Sequence, residues 1–140
     1  MDCAIEEARK ALEKKEVPVG AVVVYENKII GRGHNLVETL QDATAHAEII
    51  AIGAGGQYLK NWRLYGAQLI VTVEPCLMCF GAILHSRIKT LCYAVSQPKF
   101  GAFSLFNLPI PKTLKIIKGI KEKEITTLLQ NFFATLRTKH

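Results

Sequence analysis

Two short segments carry residue types that can do chemistry: Thr44-Ala-His46-Ala-Glu48 and Glu74-Pro75-Cys76-Leu-Met-Cys79. Cys76 and Cys79 stand three apart, so on a helix their sulfurs share one face about a turn apart and can grip a single ion. Pro75 places them at the start of a helix, where the macrodipole favours thiolates, the form a metal binds. His46 offers a neutral third ligand. Three protein ligands leave the fourth tetrahedral position to water, which separates a catalytic zinc site from a closed structural one. Two thiolates, one imidazole and Zn2+ sum to zero charge, so a bound hydroxide would be the only excess anion. A lone Cys-x-x-Cys is equally a redox pair or half of a structural zinc site, and a lone helical histidine is usually a core residue. Spacing does not connect His46 to Glu48 either. Two residues apart on an ideal helix, they point about 200° away from each other. They share a site only if His46 lies at the irregular start of its helix, or if the site wraps over the helix end.

The elements around these segments are legible from periodicity. Ile5, Ala8, Ala11 and Leu12 recur at helical spacing and predict an amphipathic helix over Asp2–Lys15. Ala21–Tyr25 and Ile29–His34 read as a hairpin around a polar turn, with Gly31 and Gly33 marking either a close approach of backbone or ligand, or a bulge. Val37–Ala43 reads as a polar loop, and Thr44–Gly53 as a helix stopped by Gly55-Gly56. Gln68–Val73 is a third strand, Cys76–Ser86 a helix and Thr90–Val95 a fourth strand. Gln97–Pro111 reads as a loop, Leu114–Ile117 as a short fifth strand and Lys121–Arg137 as a final basic helix. Helices alternating with strands in this way predict a three-layer α/β/α domain around five strands, occupying residues 1–140 as one unit.

Composition narrows the class. Apolar residues are 49% and charged residues 21% of the 140, which excludes disorder and low complexity. The longest apolar runs, such as Ala21–Tyr25 and Leu69–Val73, have strand length, and Met1–Lys10 shows no apolar leader. A soluble cytoplasmic protein without a membrane partner is expected. Four cysteines are too few for a disulfide scaffold. The net charge is +6, and residues 111–140 carry seven bases (Lys112, Lys115, Lys118, Lys121, Lys123, Arg137, Lys139) against Glu122 and Glu124. Such a tail attracts polyanions, nucleic acid first, or is simply a solvated helix face. Phe132 and Phe133 are either RNA-stacking rings or part of a core seam with Leu128, Leu129 and Leu136. Tyr58, Trp62 and Tyr65 are expected to pack down a polar loop.

His-x-Glu followed by Pro-Cys-x-x-Cys is the signature of zinc nucleobase deaminases, a group whose known members include tRNA adenosine deaminases. The chain resembles that last family, within the cytidine deaminase superfamily, over nearly its whole length. Glu16-Val-Pro-Val-Gly-Ala21, Gly33-His-Asn35, Gly81-Ala-Ile-Leu-His-Ser-Arg-Ile88 and Phe132-Phe-x-x-Leu-Arg137 are similar to family motifs beside the two zinc segments. The zinc motif alone is shared with cytidine, guanine and cytosine deaminases; His85-Ser-Arg-Ile88 and the Phe-Phe/Arg tail tilt the match toward the tRNA enzymes.

The resemblance implies a cytidine-deaminase-like fold with a mixed five-stranded sheet. It implies one zinc per subunit, held by His46, Cys76 and Cys79 with a water as fourth ligand, and Glu48 as the proton shuttle. The reaction implied is conversion of adenosine to inosine at the wobble position of a tRNA anticodon loop. Asn35 and Ala47 would contact the adenine, and Phe132, Phe133 and Arg137 the anticodon stem-loop, in a homodimer. Three positions depart from the pattern. Ala43 replaces a common proline, Gln97 stands where many members have an acid that contacts the substrate strand, and Leu105–Thr113 is shorter than usual. A free-base deaminase is the competing enzyme class, and a non-catalytic RNA-binding subunit is disfavoured by the presence of Glu48. A free base has no phosphates for the basic tail to meet.

Overall fold

The β-branched run after Gly20 forms the centre of the sheet. In the computed structural model, which describes residues 1–138, β1 (Gly20–Tyr25) pairs antiparallel with β2 (Lys28–His34) on one side and with β3 (Gln68–Val73) on the other. Parallel pairing then adds β4 (Thr90–Val95) and β5 (Lys115–Lys118), giving a mixed sheet of order β2-β1-β3-β4-β5. Glu26 and Asn27 both take positive φ (50° and 61°), the two-residue turn whose twist suits a tight hairpin.

Helices cover both faces, as the three-layer reading expects. On one side, α3 (Ala47–Leu59) and α4 (Leu77–His85) close over a core containing Ala51, Leu64, Leu69, Val71, Phe80, Ile83 and Leu91. On the other, α1 (Asp2–Glu13) and α5 (Glu122–Thr138) pack a smaller cluster of Ile5, Val73, Ala94, Val95 and Ile125. Among the described residues, no helix is long and apolar enough to cross a membrane.

Two expectations about the middle of the chain need correction. Val37–Leu40 is a helical turn, α2, inside the segment read as loop, because Glu16 caps it: the Glu16 carboxylate accepts the backbone N–H groups of Glu38 (3.2 Å) and Thr39 (2.6 Å) and the Thr39 hydroxyl (2.7 Å). Nor does Gly55-Gly56 stop α3. The helix runs on to Leu59 and ends at Lys60, which is left-handed (φ 54°). Tertiary packing explains the override of glycine's poor propensity. Gly55 is buried against Val23, Ile30 and Leu64, so burial on the sheet holds the turn helical.

Both readings of Gly31 and Gly33 hold: the β1–β2 register shifts beside Gly31, where Val23 pairs with Gly31 and Val24 with Ile29, and both glycines admit a close backbone approach. A Cβ on Gly33 would lie 2.7 Å from the Ala51 nitrogen and nearer still to the Ala47 carbonyl; one on Gly31 would lie 2.8 Å from the Gly55 nitrogen and nearer to the Ala51 carbonyl. The backbone of α3 therefore rests directly on β2, which fixes the height of its N-terminus above the sheet.

The basic tail is divided by the fold. Lys115 and Lys118 sit on the edge strand β5, where lysine blocks edge-to-edge pairing. Lys121 pairs with Asp2 at 3.7 Å. Lys139 lies outside the described residues.

Candidate active site

His46 and Cys76 are both helix N-caps with extended backbones: His46 (φ −79°, ψ 153°) precedes α3, and Cys76 (φ −74°, ψ 175°) precedes α4. An N-cap residue leaves the helical path, so the 200° separation of an ideal helix does not apply to His46 and Glu48. His46 turns toward α4 while Glu48, in the first turn of α3, drops into the interior at 4% exposure. Cys79, one turn into α4, is fully buried. The two helix N-termini thus meet, and their dipoles favour the thiolates there.

His46 Nδ1 lies 3.5 Å from both the Cys76 and Cys79 sulfurs, and the three donor atoms all fall within 4.8 Å of one another. Zn–S bonds of about 2.3 Å and Zn–N bonds of about 2.0–2.1 Å at a tetrahedral angle require a sulfur–nitrogen separation of about 3.5 Å. The spacing fits a tetrahedral metal site. The cysteines are free thiols, so the redox-disulfide reading of Cys-x-x-Cys finds no bond here.

The electrostatics of the cluster are set by its neighbours. A hydrogen bond with Cys79, joined by one from His46, pulls the Cys76 thiol down to about 4. The same contact with Cys76, together with burial, pushes Cys79 upward, and the bond to Cys76 raises His46. Burial lifts Glu48 to about 7, against the pull of its own backbone N–H and of His46. A carboxyl group at that value can both take and return a proton near neutral pH.

His46, Glu48 and Cys76 line a cavity of about 580 Å3. Val17, Val19, Asn35, Ala43, Ala47, Val73, Met78, Gln97, Phe100 and Phe133 also contribute to its lining. Asn35 is held by its backbone N–H, which donates to Val19 O at 3.1 Å, and its Oδ1 accepts the Val37 N–H at 3.2 Å. Its Nδ2 donor is left for a ligand, while one of the two lone pairs of Oδ1 is already engaged. Ala47 reaches the cavity from the first position of α3, although its side chain is fully buried.

The two tail phenylalanines divide. Phe133 is 41% exposed and lines the cavity; Phe132 is buried, beside Leu12 and Leu128 in the cleft between α1 and α5. Their rings touch edge to face at 5.3 Å. Periodicity alone left both residues open to either role, because neighbours on a helix point about 100° apart. Arg137 lies farther along α5, lining a groove of about 810 Å3 that shares Gln97, Phe100 and Phe133 with the cavity.

Some residues depart from their sequence reading. Tyr58, Trp62 and Tyr65 are about half or more exposed rather than packed down; Trp62 stacks on His85 at 5.0 Å, and the Arg63 guanidinium lies over the Trp62 ring, 4.3 Å from its centroid. Two buried carboxylates inside the recognised motifs, Glu16 and Glu74, were passed over. Their signal was available: Glu16 stands next to Val17-Pro and Glu74 next to Pro75, each bordering an apolar stretch, and an acid buried there needs hydrogen-bond donors.

Comparison with known proteins places this architecture. The MafB19-like deaminase family matches residues 1–137. The tRNA-specific adenosine deaminase of Bacillus subtilis (strain 168) is 44% identical over 97% of this chain and 88% of its own length. That of Buchnera aphidicola (subsp. Schizaphis graminum) is 44% identical over 98% and 93%. A structure from work on A-to-I editing by tRNA:A34 deaminases at the wobble position superposes with TM-score 0.85 at 41% identity, over 92% of this chain and 97% of that one. The Bacillus subtilis guanine deaminase is more distant: TM-score 0.67 at 31% identity, over 79% and 76%.

Proposed function

Since the chain belongs to the tRNA-specific adenosine deaminases, we propose that it converts adenosine to inosine at the wobble position of a tRNA anticodon loop, using zinc held by His46, Cys76 and Cys79. The observation that carries this reading is the meeting of those three donors, within 4.8 Å, beside buried Glu48 on the wall of a cavity that Asn35 also faces. Mixed imidazole and thiolate ligation favours zinc among divalent ions. When bound, zinc supplies Lewis acidity that lowers the pKa of water to about 7.

The chain's own residues supply the rest. Glu48 takes a proton from the attacking water and delivers it to N1 of the purine as oxygen adds at C6. It then takes the remaining proton and passes it to the departing C6 amine. Water and adenosine become inosine and ammonia, and the carboxyl group ends as it began. Asn35 orients the base through its Nδ2 donor, directed at a purine ring nitrogen. Val17, Val19 and Val73 line the cavity with apolar surface and exclude bulk water from the reacting face.

A base stacked in a duplex cannot reach this wall, so the substrate is single-stranded or flipped, and an anticodon loop supplies such a base. The groove past Phe100 and Phe133 gives room for neighbouring nucleotides, with Phe133 as a stacking surface and Arg137 as a phosphate partner. Phe132 is too buried for that role and serves the α1–α5 packing. Residues 1–140 act as one deaminase domain, in the cytoplasm where tRNA is matured, and as a homodimer.

The test is incubation of zinc-loaded protein with an anticodon stem-loop bearing wobble adenosine and, separately, with free adenine, guanine and cytosine. Inosine in the RNA without free-base turnover is the expected result. Free-base turnover with untouched RNA would replace this reading with the free-base enzyme.

A further inference from the structure

We infer that Glu74 is a positioning residue for substrate recognition: its carboxylate fastens the loop from Gln97 to Ser104 beside the cavity and so fixes where Gln97 and Phe100 meet the RNA. Glu74 is 3% exposed, and no lysine or arginine pairs with it among the described residues. Its Oε1 accepts the Gln97 backbone N–H (2.9 Å) and the Ser104 hydroxyl (2.5 Å). Its Oε2 accepts the backbone N–H groups of Phe103 and Ser104, both at 2.9 Å. A carboxylate offers about four lone-pair directions, and this one spends all of them on a single loop. Nothing is left over for a metal or a base, so Glu74 acts through the loop.

The loop is built around this contact. Gly101 lies so close that a Cβ there would run into the Glu74 carboxylate and stand 2.6 Å from the Gln97 carbonyl. Ala102 N–H donates to Pro75 O at 2.9 Å, and Gly101 forms a β-bridge with Cys76. The backbone of Glu74 is itself anchored, its N–H donating to Val95 O at 2.9 Å. Glu74 thus joins the ligand segment to the loop that carries Gln97 and Phe100 to the cavity. Gln97 and Phe100, on the fastened loop, line both the cavity and the groove along α5.

Glu74→Gln tests this with a specific asymmetry. The new amide nitrogen cannot face the two N–H donors at the Oε2 position, so it must occupy the Oε1 position. There Ser104 Oγ can turn and accept from it, while the Gln97 N–H loses its acceptor. The variant therefore frees the Gln97 end of the loop and keeps the Phe103–Ser104 end. The kinetic readout rests on the function proposed above; the amide-exchange readout does not.

Three measurements decide it. Zinc content, and the sulfur-to-metal absorption of cobalt-loaded protein, should match wild type. The Gln97 amide should exchange about tenfold faster, and KM for the stem-loop should rise about tenfold with kcat within about twofold, the order expected from losing one hydrogen bond to a charged acceptor. Unchanged exchange and KM would overturn the inference. So would a changed cobalt spectrum with kcat lowered and KM intact, because Glu74 would then act on the ligand segment. Should Glu74→Gln fail to fold, Ser104→Ala, which removes one of the four donors, is judged by the same readouts with a KM rise of about threefold. If wild-type protein leaves the stem-loop untouched, the proposed function fails, while faster Gln97 exchange in the variant still upholds the fastening.

Discussion

Adding one methyl group at Gly33 should disable a metal site whose ligands it never touches. In Gly33→Ala the new Cβ would stand 2.7 Å from the Ala51 nitrogen and 2.9 Å from Ile50 Cβ, and closer to the Ala47 carbonyl. Ordinary contact begins near 3.4 Å, so α3 must lift from β2 by at least about 0.7 Å at the Ala51 nitrogen and by more at Ala47. Helix backbone cannot yield as a flexible side chain can. Overpacking of this kind costs about 1–3 kcal/mol, which lowers Tm by roughly 3–12 °C for a chain of this size.

The functional cost follows from where the lift occurs. Ala47 lies between His46 and Glu48, whereas Cys76 and Cys79 are carried by α4. Raising α3 alone stretches the 3.5 Å separations between His46 and the two sulfurs. A misplacement of about 1 Å costs on the order of 100-fold in rate. The assays are zinc affinity by chelator competition, thermal unfolding with and without zinc, and turnover. Gly53→Ala is the control on the same helix: nothing lies within 4 Å of its Cβ, so it should gain about 0.4–1 kcal/mol. Wild-type zinc affinity and Tm in Gly33→Ala would refute the claim that the β2 contact sets the height of the site.

Three further outcomes are expected. Glu48→Gln should retain zinc and lose about 10²–10⁴-fold in turnover, measured as inosine release with metal content checked in parallel. Burial would raise the Glu16 carboxyl, but the Thr39 hydroxyl and the Thr39 and Glu38 N–H groups together hold it below its ordinary value. A carboxylate depressed in the folded state contributes stability that is complete above its unfolded pKa of about 4.3 and is lost as pH falls through the folded value. Tm against pH should therefore lose part of its acid slope in Glu16→Gln, and an unchanged slope counts against the cap. Finally, log–log plots of stem-loop affinity against salt should flatten by about 0.7 in Arg137→Ala, as expected for one lost phosphate contact. Lys115→Ala should leave the slope alone, since that residue pairs with Thr90, at the end of β4 away from Val95; equal effects would show that the tail acts as one undivided charge.

The candidate ligand residues and the order of strands and helices along the chain were legible in the sequence for chemical reasons. Few side chains bind a soft divalent ion, and Cys76 and Cys79 recur at the spacing of one helical turn after a proline. β-branched runs such as Ala21–Tyr25 and Gln68–Val73 declared themselves as strands, and the amphipathic period of α1 and α5 as helices. Errors came where a local rule met packing. Gly55-Gly56 looked like a stop because glycine is a poor helix former in isolation, yet α3 is held by the sheet beneath it. Val37–Leu40 looked like loop because its cap, Glu16, stands more than twenty residues away.

What the sequence determined by itself was therefore a list of chemical capacities: an imidazole and two thiols able to bind a soft divalent ion, a carboxyl group two residues from the imidazole, an excess of positive charge near the C-terminus. Only the tertiary structure decided which atoms of those residues meet. It turned His46 out of the helix toward the sulfurs, engaged the Asn35 carbonyl oxygen with the Val37 N–H, buried Phe132 while exposing Phe133, and gave Glu74 a loop to hold. Residue type is a local property, but direction depends on how separate segments stack. Here that stacking is set by glycines in β2 and by buried acids that bind distant backbone.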